Sequence, residues 1–468
     1  MKNLGYLIIL LAGACHNFRE QSPLDIQGDV LSPSLLPDTA LLNDPGLTSR
    51  QSVRNFYALR DYSLFWSDGT DFRPAADSML QIVQQANHFG LIPGDYHLDE
   101  MQILIKDTFA SNRFPRMDVL LTDNYLTMCR HIRHGRLDPK TLQRSELSLT
   151  TDGEAISSLQ NIHNTSITGQ LKALEPEAAA YHRLKTALQS FQLLGKDDAV
   201  QRERAEKISL NMERWRWQKQ WPDRYVYVNI PAFILRAVEN DSVWLESKVI
   251  VGKRDTPTPV LESVIRSFII YPYWHVPYSI STKEILPALQ TDPSYLVRNN
   301  FDVLDRDGAI VSTDTIQWDL FSVDWFPFIL RQREGSENSM GIIKFNFANN
   351  YGVYLHDTNS KRLYQRANRN LSHGCVRVNM AVAFAHYLVR EDDIYVSPED
   401  LDQYLSLQQR LKIELRKPIP LKLEYFTAEV KNGVTVFYDD IYKKDSVMMQ
   451  SLDHQIPPRV LLNEKPAL

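Results

Sequence analysis

The 468-residue sequence predicts an α+β multidomain protein, with a helical first half followed by a mostly β second half. Three observations carry this. Apolar residues recur at helical spacing through Val53, Phe56, Tyr57 and Leu59, through Ala75 to Val83, through Met117 to His134 and through Glu175 to Leu193. Beyond Trp217 the pattern turns to β-branched and aromatic runs, Tyr225 to Ile230, Ser247 to Gly252 and Lys344 to Phe347, bounded by Gly, Pro, Asn or Asp. An apolar fraction of 43% with 23% charged residues belongs to a folded chain and excludes global disorder.

The elements follow in order. Lys2, the apolar run Tyr6 to Leu11 and the small residues Ala12, Gly13 and Ala14 read as an export signal over 1–14, too short to span a bilayer. Cys15 directly after them resembles a lipoprotein cleavage site, with Ala12 where Leu is usual, so Cys15 is the candidate lipid anchor of a chain that works outside the cytoplasm. Residues 15–49, rich in Ser, Pro, Asp and Gly without periodicity, read as a tether. The helical domain spans 50–205, punctuated by Gly90 to Gly94 and Gly135 to Pro139. The mostly β domain spans 206–415. Within it, about 276–340 reads as an inserted lid with a helical Lys283 to Pro287 and a polar loop, Arg331 to Ser339. In the C-terminal region, 416–468, Leu421 to Tyr425 and Val434 to Tyr438 flank Asn432-Gly433, a tight-turn dipeptide that predicts a hairpin followed by a tail. There is no internal repeat.

Charge and cysteine content narrow the function. With 52 basic and 57 acidic residues the net charge is -5, which excludes nucleic acid as a main partner. Three cysteines, Cys15, Cys129 and Cys375, cannot build a disulfide framework, so each needs its own explanation.

Cys375 has the most informative surroundings. It sits in Ser372-His373-Gly374-Cys375-Val376-Arg377-Val378-Asn379, and a strand-like segment, Tyr351 to Thr358, precedes it. In that segment Val353 and Leu355 share one face and Tyr354 and His356 the other, so His356 points away from the apolar side, as a catalytic base should. A thiol attacks only when ionised, and a neighbouring imidazole held by a third group can take its proton. Gly374 lets a substrate approach the backbone, and the amides around Gly374 and Cys375 are candidate oxyanion donors. Asn379 is the expected cap of an apolar helix, Ala381 to Val389.

A His followed by Ser-His-Gly-Cys-x-Arg resembles the signature of L,D-transpeptidases. The likeness extends to Arg214 to Trp217, Val228 to Pro231, Val251 to Lys253, Thr256 to Pro259, Pro272 to Pro277 and Tyr354 to Thr358, which resemble the periplasmic YcbB-like branch with its YkuD-type catalytic domain. Phe56-Tyr57, Leu64 to Trp66 and Gly90 to Tyr96 resemble that branch's helical scaffold domain, so the likeness covers most of 50–440. The resemblance implies a β-sandwich-like catalytic core. It also implies a cysteine acyl-enzyme formed on a peptidoglycan tetrapeptide stem with release of D-alanine, resolved by an acceptor amine to give a 3-3 crosslink. Carried over by position, Cys375 matches the nucleophile and His356 the base, with the backbone carbonyl of Asp357 orienting the imidazole. His373 is the third catalytic candidate, while Tyr354, Asp357, Ser372, Gly374 and Arg377 are candidates for shaping the site or holding substrate. The implied partners are stem peptides, with carbapenems as inhibitors. No cofactor and no metal are implied. Two departures stand out. Only a charged stretch, about 194–208, stands where larger relatives carry a peptidoglycan-binding module, and the lid reads Arg331 to Gly335 where relatives tend to have Pro-Gly.

Plainer readings stand beside these. Cys129 reads as a core residue, and His131 and His134 as surface residues rather than metal ligands. Trp215, Trp217 and Trp221 read as packing at the domain junction. Lys361, Arg362, Arg366 and Arg369 read as mostly solvated, with one or two drawing an acidic substrate. Two alternatives remain beside the transpeptidase reading: an L,D-carboxypeptidase, in which water resolves the same acyl-enzyme, and a non-catalytic peptidoglycan-binding envelope lipoprotein. A papain-type protease is excluded by its missing local signature.

Overall fold

Arg113–His134 is the helix around which the first half packs. Pro115 sits in its first turn, where a missing N–H is harmless, and Gly135 ends it at φ 88. A β-carbon at Gly135 would lie 2.6 Å from Glu213 Oε1, so the turn also needs glycine for space. From 117 to 129 every residue of the helix is buried, among them Leu120, Tyr125, Met128 and Cys129, as expected of a helix enclosed on all sides. Arg50–Ala58, Pro74–Gln84, Leu98–Lys106 and Ile167–Lys172 surround it through Val53, Phe56, Met79, Met101 and Leu171. Each such side chain contributes roughly 1.5–3 kcal/mol on burial.

The structure is a computed structural model that describes residues 36, 39–141, 150–162, 166–195, 198–219, 221–390 and 396–453. The export signal, Cys15 and most of the expected tether lie outside the described residues. The end of that tether belongs to the folded body: Thr39–Asn43 is a 3-10 helix, and Leu36, Leu42 and Leu47 are buried in the helical core. Isolated leucines among Ser, Pro and Asp gave no period from which to read this.

The boundary expected at 205/206 falls inside one continuous helix, Ala199–Arg216. Its polar side chains tie the two halves together. Glu213 accepts from the amides of Arg136 and Leu137, and Arg216 donates to Glu213 at 3.0 Å and to the carbonyl of Phe89. On its other side, Asn211 exchanges bonds with Thr427 at 2.8 and 2.9 Å, and Arg214 holds Asp445 at 2.6 Å. Trp215 stacks on Phe426 with ring centres 4.7 Å apart, and Trp221 packs on Tyr225 and Tyr227, the packing role expected of them.

The strands of the second half are β1 (Arg224–Asn229), β2 (Ile234–Glu239), β3 (Ser242–Gly252), β4 (Leu261–Ile270), β5 (Trp274–His275), β6 (Phe301–Leu304), β7 (Ile329–Gln332), β8 (Ile343–Phe347), β9 (Leu355–His356), β10 (Asn370–Ser372), β11 (Val376–Val378), β12 (Leu411–Glu424), β13 (Ala428–Lys431) and β14 (Val434–Phe437). The main sheet runs β10-β3-β11-β9-β8-β4-β12-β1-β2, and β2 also pairs with β3, so the sheet curls back on itself around a core of Val226, Val249, Phe268, Phe345, Val376 and Leu421. Helix Ala381–Val389 packs on that core through Phe384, whose ring centre is 4.6 Å from that of Phe345.

Three expectations change here. β12 lies between β4 and β1, so the catalytic domain runs past 415, and Leu421 to Glu424 are sheet interior rather than one arm of a hairpin. The hairpin on Asn432-Gly433 is β13 with β14, and both turn residues have positive φ, 49 and 77. Asn379 caps nothing: its amide bonds to Lys248, and Met380 precedes the helix.

The insertion is a small folded unit. β5, β7 and β6 form a three-stranded sheet over Ile285, Leu289, Phe301, Trp318 and Leu330. The expected polar loop starts as strand β7. Arg331 and Arg333 both hold Asp302 at 2.7 Å, and this pair of guanidinium groups, against the cost of its burial, keeps the Asp302 carboxyl below its ordinary pKa. Lys283 to Pro287 is helical as expected, within a π-helical turn at Ser281–Ile285, a local irregularity often associated with functional sites.

Candidate active site

Period-two alternation builds the site. Ile343 and Phe345 of β8, Leu355 of β9, and Val376 and Val378 of β11 are completely buried on the core face. The alternate residues Lys344, Tyr354, His356, Cys375 and Arg377 therefore emerge together on the other face. Register sets their order across it: Lys344 stands opposite His356, His356 opposite Arg377, and Leu355 opposite Val376, with the Val376 amide bonded to the Tyr354 carbonyl at 3.0 Å. Cys375 thus lies beside Tyr354, one step from His356. The lid's β5 reaches the same place through Trp274.

Tyr354 favours the ionised sulfur through both its backbone and its side chain, and Trp274 acts on the Tyr354 hydroxyl in the same sense. The Tyr354 and His356 rings meet edge to face with centres 5.6 Å apart, and Lys344 Nζ lies 4.3 Å from the centre of the Tyr354 ring.

Burial pushes the Cys375 thiol above its ordinary pKa, and Tyr354, Lys344 and Arg377 pull it only part of the way back. His356 moves the other way, to about 3. Burial is the main cause and the Arg377 cation the second, with the backbone of Asp357 and Met340 acting against them. The imidazole Nδ1 is buried with no hydrogen-bond partner. At neutral pH the site therefore holds a thiol next to a neutral imidazole with one open nitrogen. Arg377 and Lys344 are both pulled down by burial, and neither has a carboxylate partner among the described residues. Arg377 leans instead on Tyr364 and Cys375.

The loop before the sulfur is tightly built. Gly374 has φ 116, open to glycine and strained for other residues. Ser372 Oγ donates to the Cys375 carbonyl at 2.6 Å and accepts from the Gly374 amide at 3.2 Å. Thr258 Oγ1 donates to the Gly374 carbonyl at 2.8 Å and accepts from the Gly252 amide at 2.9 Å. With the Gly374 N–H engaged by Ser372, the Cys375 N–H is the amide left to face a developing oxyanion.

The expected site residues separate accordingly. Cys375, His356, Tyr354 and Arg377 are brought together. Ser372 and Gly374 form the loop frame, and the buried Ser372 hydroxyl is engaged internally rather than offered to substrate. The Asp357 carboxylate also turns inward, to Lys361 and to the Ile342 amide at 3.1 Å, so its side chain is not a substrate contact; its backbone raises the His356 pKa against the effect of burial. His373 is tied to the lid, with Nε2 2.6 Å from Glu284 Oε1. Lys361 is occupied by Asp357, and Arg369 by the carbonyls of Val249, Phe233 and Arg366, while Arg362 and Arg366 are exposed. Cys129 is buried as expected. His131 is not at the surface: it is buried with Nδ1 2.9 Å from the Tyr96 hydroxyl.

The sequence reading missed Lys344, Trp274, Glu284 and the Met340 backbone. Lys344 was within reach, since it alternates with apolar residues in a segment read as a strand. What the sequence lacked was that this strand lies beside His356.

Comparison with known proteins agrees with this site. Residues 51–188 match the family model of the scaffold domain, and residues 223–396 match that of the L,D-transpeptidase catalytic domain. A Haemophilus influenzae protein provisionally named an L,D-transpeptidase is 27% identical over 411 residues, covering 86% of this chain and 80% of that protein. Among solved structures, the catalytic domain of the Enterococcus faecium L,D-transpeptidase acylated by ertapenem matches 44% of this chain and 100% of its own, at 12% identity and a TM-score of 0.21. Mycobacterium tuberculosis L,D-transpeptidase 1 matches 43% of this chain and 61% of its own, at 16% identity and a TM-score of 0.16.

Proposed function

We propose that this chain, which carries an L,D-transpeptidase catalytic domain behind a scaffold domain, is a periplasmic peptidoglycan L,D-transpeptidase that forms 3-3 crosslinks through a Cys375 acyl-enzyme. The observation that supports it most is the placement of Cys375 beside Tyr354, on the same sheet face as a neutral His356.

The chemistry follows from those groups. Sγ attacks the carbonyl between the L-centre and the terminal D-residue of a tetrapeptide stem as its proton passes to His356. The oxyanion faces the Cys375 N–H. The C–N bond breaks, His356 returns the proton to the departing amine, and D-alanine leaves behind a thioester. The amine of a neighbouring stem then attacks the thioester, its proton passing through His356 to restore the thiol. Arg377, half-buried without a carboxylate partner among the described residues, suits an anionic stem, and carbapenems would acylate the same sulfur. Cys15 would tether the enzyme to the envelope.

The test is intact-mass measurement after carbapenem treatment, with muropeptide analysis of disaccharide tetrapeptides. A single adduct on the wild type, none on Cys375→Ala, and dimer products are expected. Monomeric tripeptides alone would make the protein a carboxypeptidase, and an undiminished adduct on Cys375→Ala would remove the nucleophile.

A further inference from the structure

We propose that Lys344 is a further functional residue of this site, supplying the positive charge that balances the Cys375 sulfur when it ionises while His356 only moves the proton. The inference rests on the reading of Cys375 as nucleophile.

Placement is the first ground. Lys344 stands opposite His356 in the β8–β9 register, on the face that carries Cys375, and its Nζ lies over the ring of Tyr354, whose carbonyl takes the Val376 amide next to the nucleophile. The second is an unbalanced charge. Lys344 is half-buried, and a buried ammonium without a counter-ion is costly. Some partly enclosed lysines are paired, Lys422 with Glu262 at 2.8 Å and Lys185 with Glu175, while half-buried Lys207 meets the Tyr438 carbonyl. Lys344 has no such carboxylate among the described residues, and the negative charge it can meet is the one that forms on Cys375.

The other groups around the sulfur fit this role less well. From β9, His356 is held neutral by burial and by Arg377, with Lys344 adding to the effect, so it is a poor resident cation. From β11, Arg377 divides its interaction between Tyr364 and Cys375. From the nucleophile loop, His373 is turned to Glu284 of the lid. From β5, His275 is exposed and held below its ordinary pKa by burial, with Arg331 and Lys344 among the causes. Tyr354 carries no charge at neutral pH, its hydroxyl pushed well up by burial. In the balanced step, the thiol proton leaves Sγ for the open imidazole nitrogen or for solvent, Lys344 gives up no proton, and its ammonium matches the charge left on sulfur.

Iodoacetamide alkylation of the full chain across a pH series, read by intact mass with Cys375→Ala as the blank, tests this. Lys344→Met and Lys344→Gln should raise the midpoint of the rate profile by about one pH unit, slowing alkylation at pH 7 about tenfold, while Lys344→Arg keeps the wild-type midpoint. Melting curves separate this from misfolding, and if Lys344→Met does not fold, Lys344→Gln carries the comparison. An unmoved midpoint in a folded Lys344→Gln overturns the inference with the nucleophile reading intact. A wild type inert to both iodoacetamide and carbapenem removes that reading itself.

Discussion

Asp118 in the helical domain and Lys344 in the catalytic cleft are both charges enclosed by protein, and they are treated in opposite ways. Asp118 is closed on every side: Oδ1 accepts from the Tyr57 hydroxyl at 2.6 Å and the Phe65 amide at 2.9 Å, and Oδ2 from the Trp66 and Ser67 amides at 2.8 and 3.1 Å. Lys344 and its neighbour Arg377 have no carboxylate partner among the described residues, and His356 keeps a buried nitrogen open. A closed charge fixes a loop and does nothing else. An open one costs stability and remains available to a charge that appears only when sulfur ionises or an anionic peptide enters.

The contrast can be broken most severely at Asp118. Replacing it with Ala leaves a buried tyrosine hydroxyl and three amides without their acceptor, so a loss of about 3 kcal/mol or more is expected by denaturant unfolding. The Cys375 acylation rate of the folded fraction should not change. A loss below about 1 kcal/mol would mean that water or a shifted loop satisfies those donors, and the two regions would then differ less than their geometry suggests.

These two charges also differ in how visible they are from sequence. His356 and Cys375 could be read because strand alternation and a short motif put chemistry on one face. Asp118 could not: one carboxylate in the helical run Met117 to His134 looks like any polar position, and its partners lie more than fifty residues away in sequence. Distance in the chain also hid the neighbour of Lys344. The misplaced boundaries have local causes. Arg202, Glu203, Arg204, Glu206 and Lys207 resemble a linker, yet Ala205, Ile208 and Met212 recur at helical spacing and are buried. β12 contains Pro418 and Pro420, which argue against an interior strand; the sheet accommodates Pro418 where the register with β4 shifts between Glu414 and Ile419, and Pro420 directly after it, opposite Val264.

A second test sharpens the contrast on the catalytic side through pH. His356 stays neutral down to about 3, so its imidazole does not ionise near pH 6.5, and the thiol, raised by burial, yields thiolate in proportion to hydroxide. Alkylation of Cys375 should therefore rise about tenfold per pH unit from pH 6 to 8 without a break. An inflection near pH 6.5 would show an imidazolium forming beside the sulfur, and the charge would then be balanced by His356 instead of by Lys344.

The smallest effect belongs to a pair that is neither closed nor open. Glu284 in the lid's π-helical turn holds His373 at 2.6 Å, but the two side chains are 52% and 35% exposed, so water competes for both. Such a pair is worth roughly 0.2–1 kcal/mol, and Glu284→Gln should lower stability by no more than that. Because it joins the lid to the residue two before Cys375, its loss should register in substrate handling. A change of about twofold to fivefold in KM with kcat preserved is the expected outcome of steady-state assays on tetrapeptide stems. A large fall in kcat instead would place His373 in the chemical step, as the motif resemblance suggested, and would extend the open, reactive region from the sheet face into the lid.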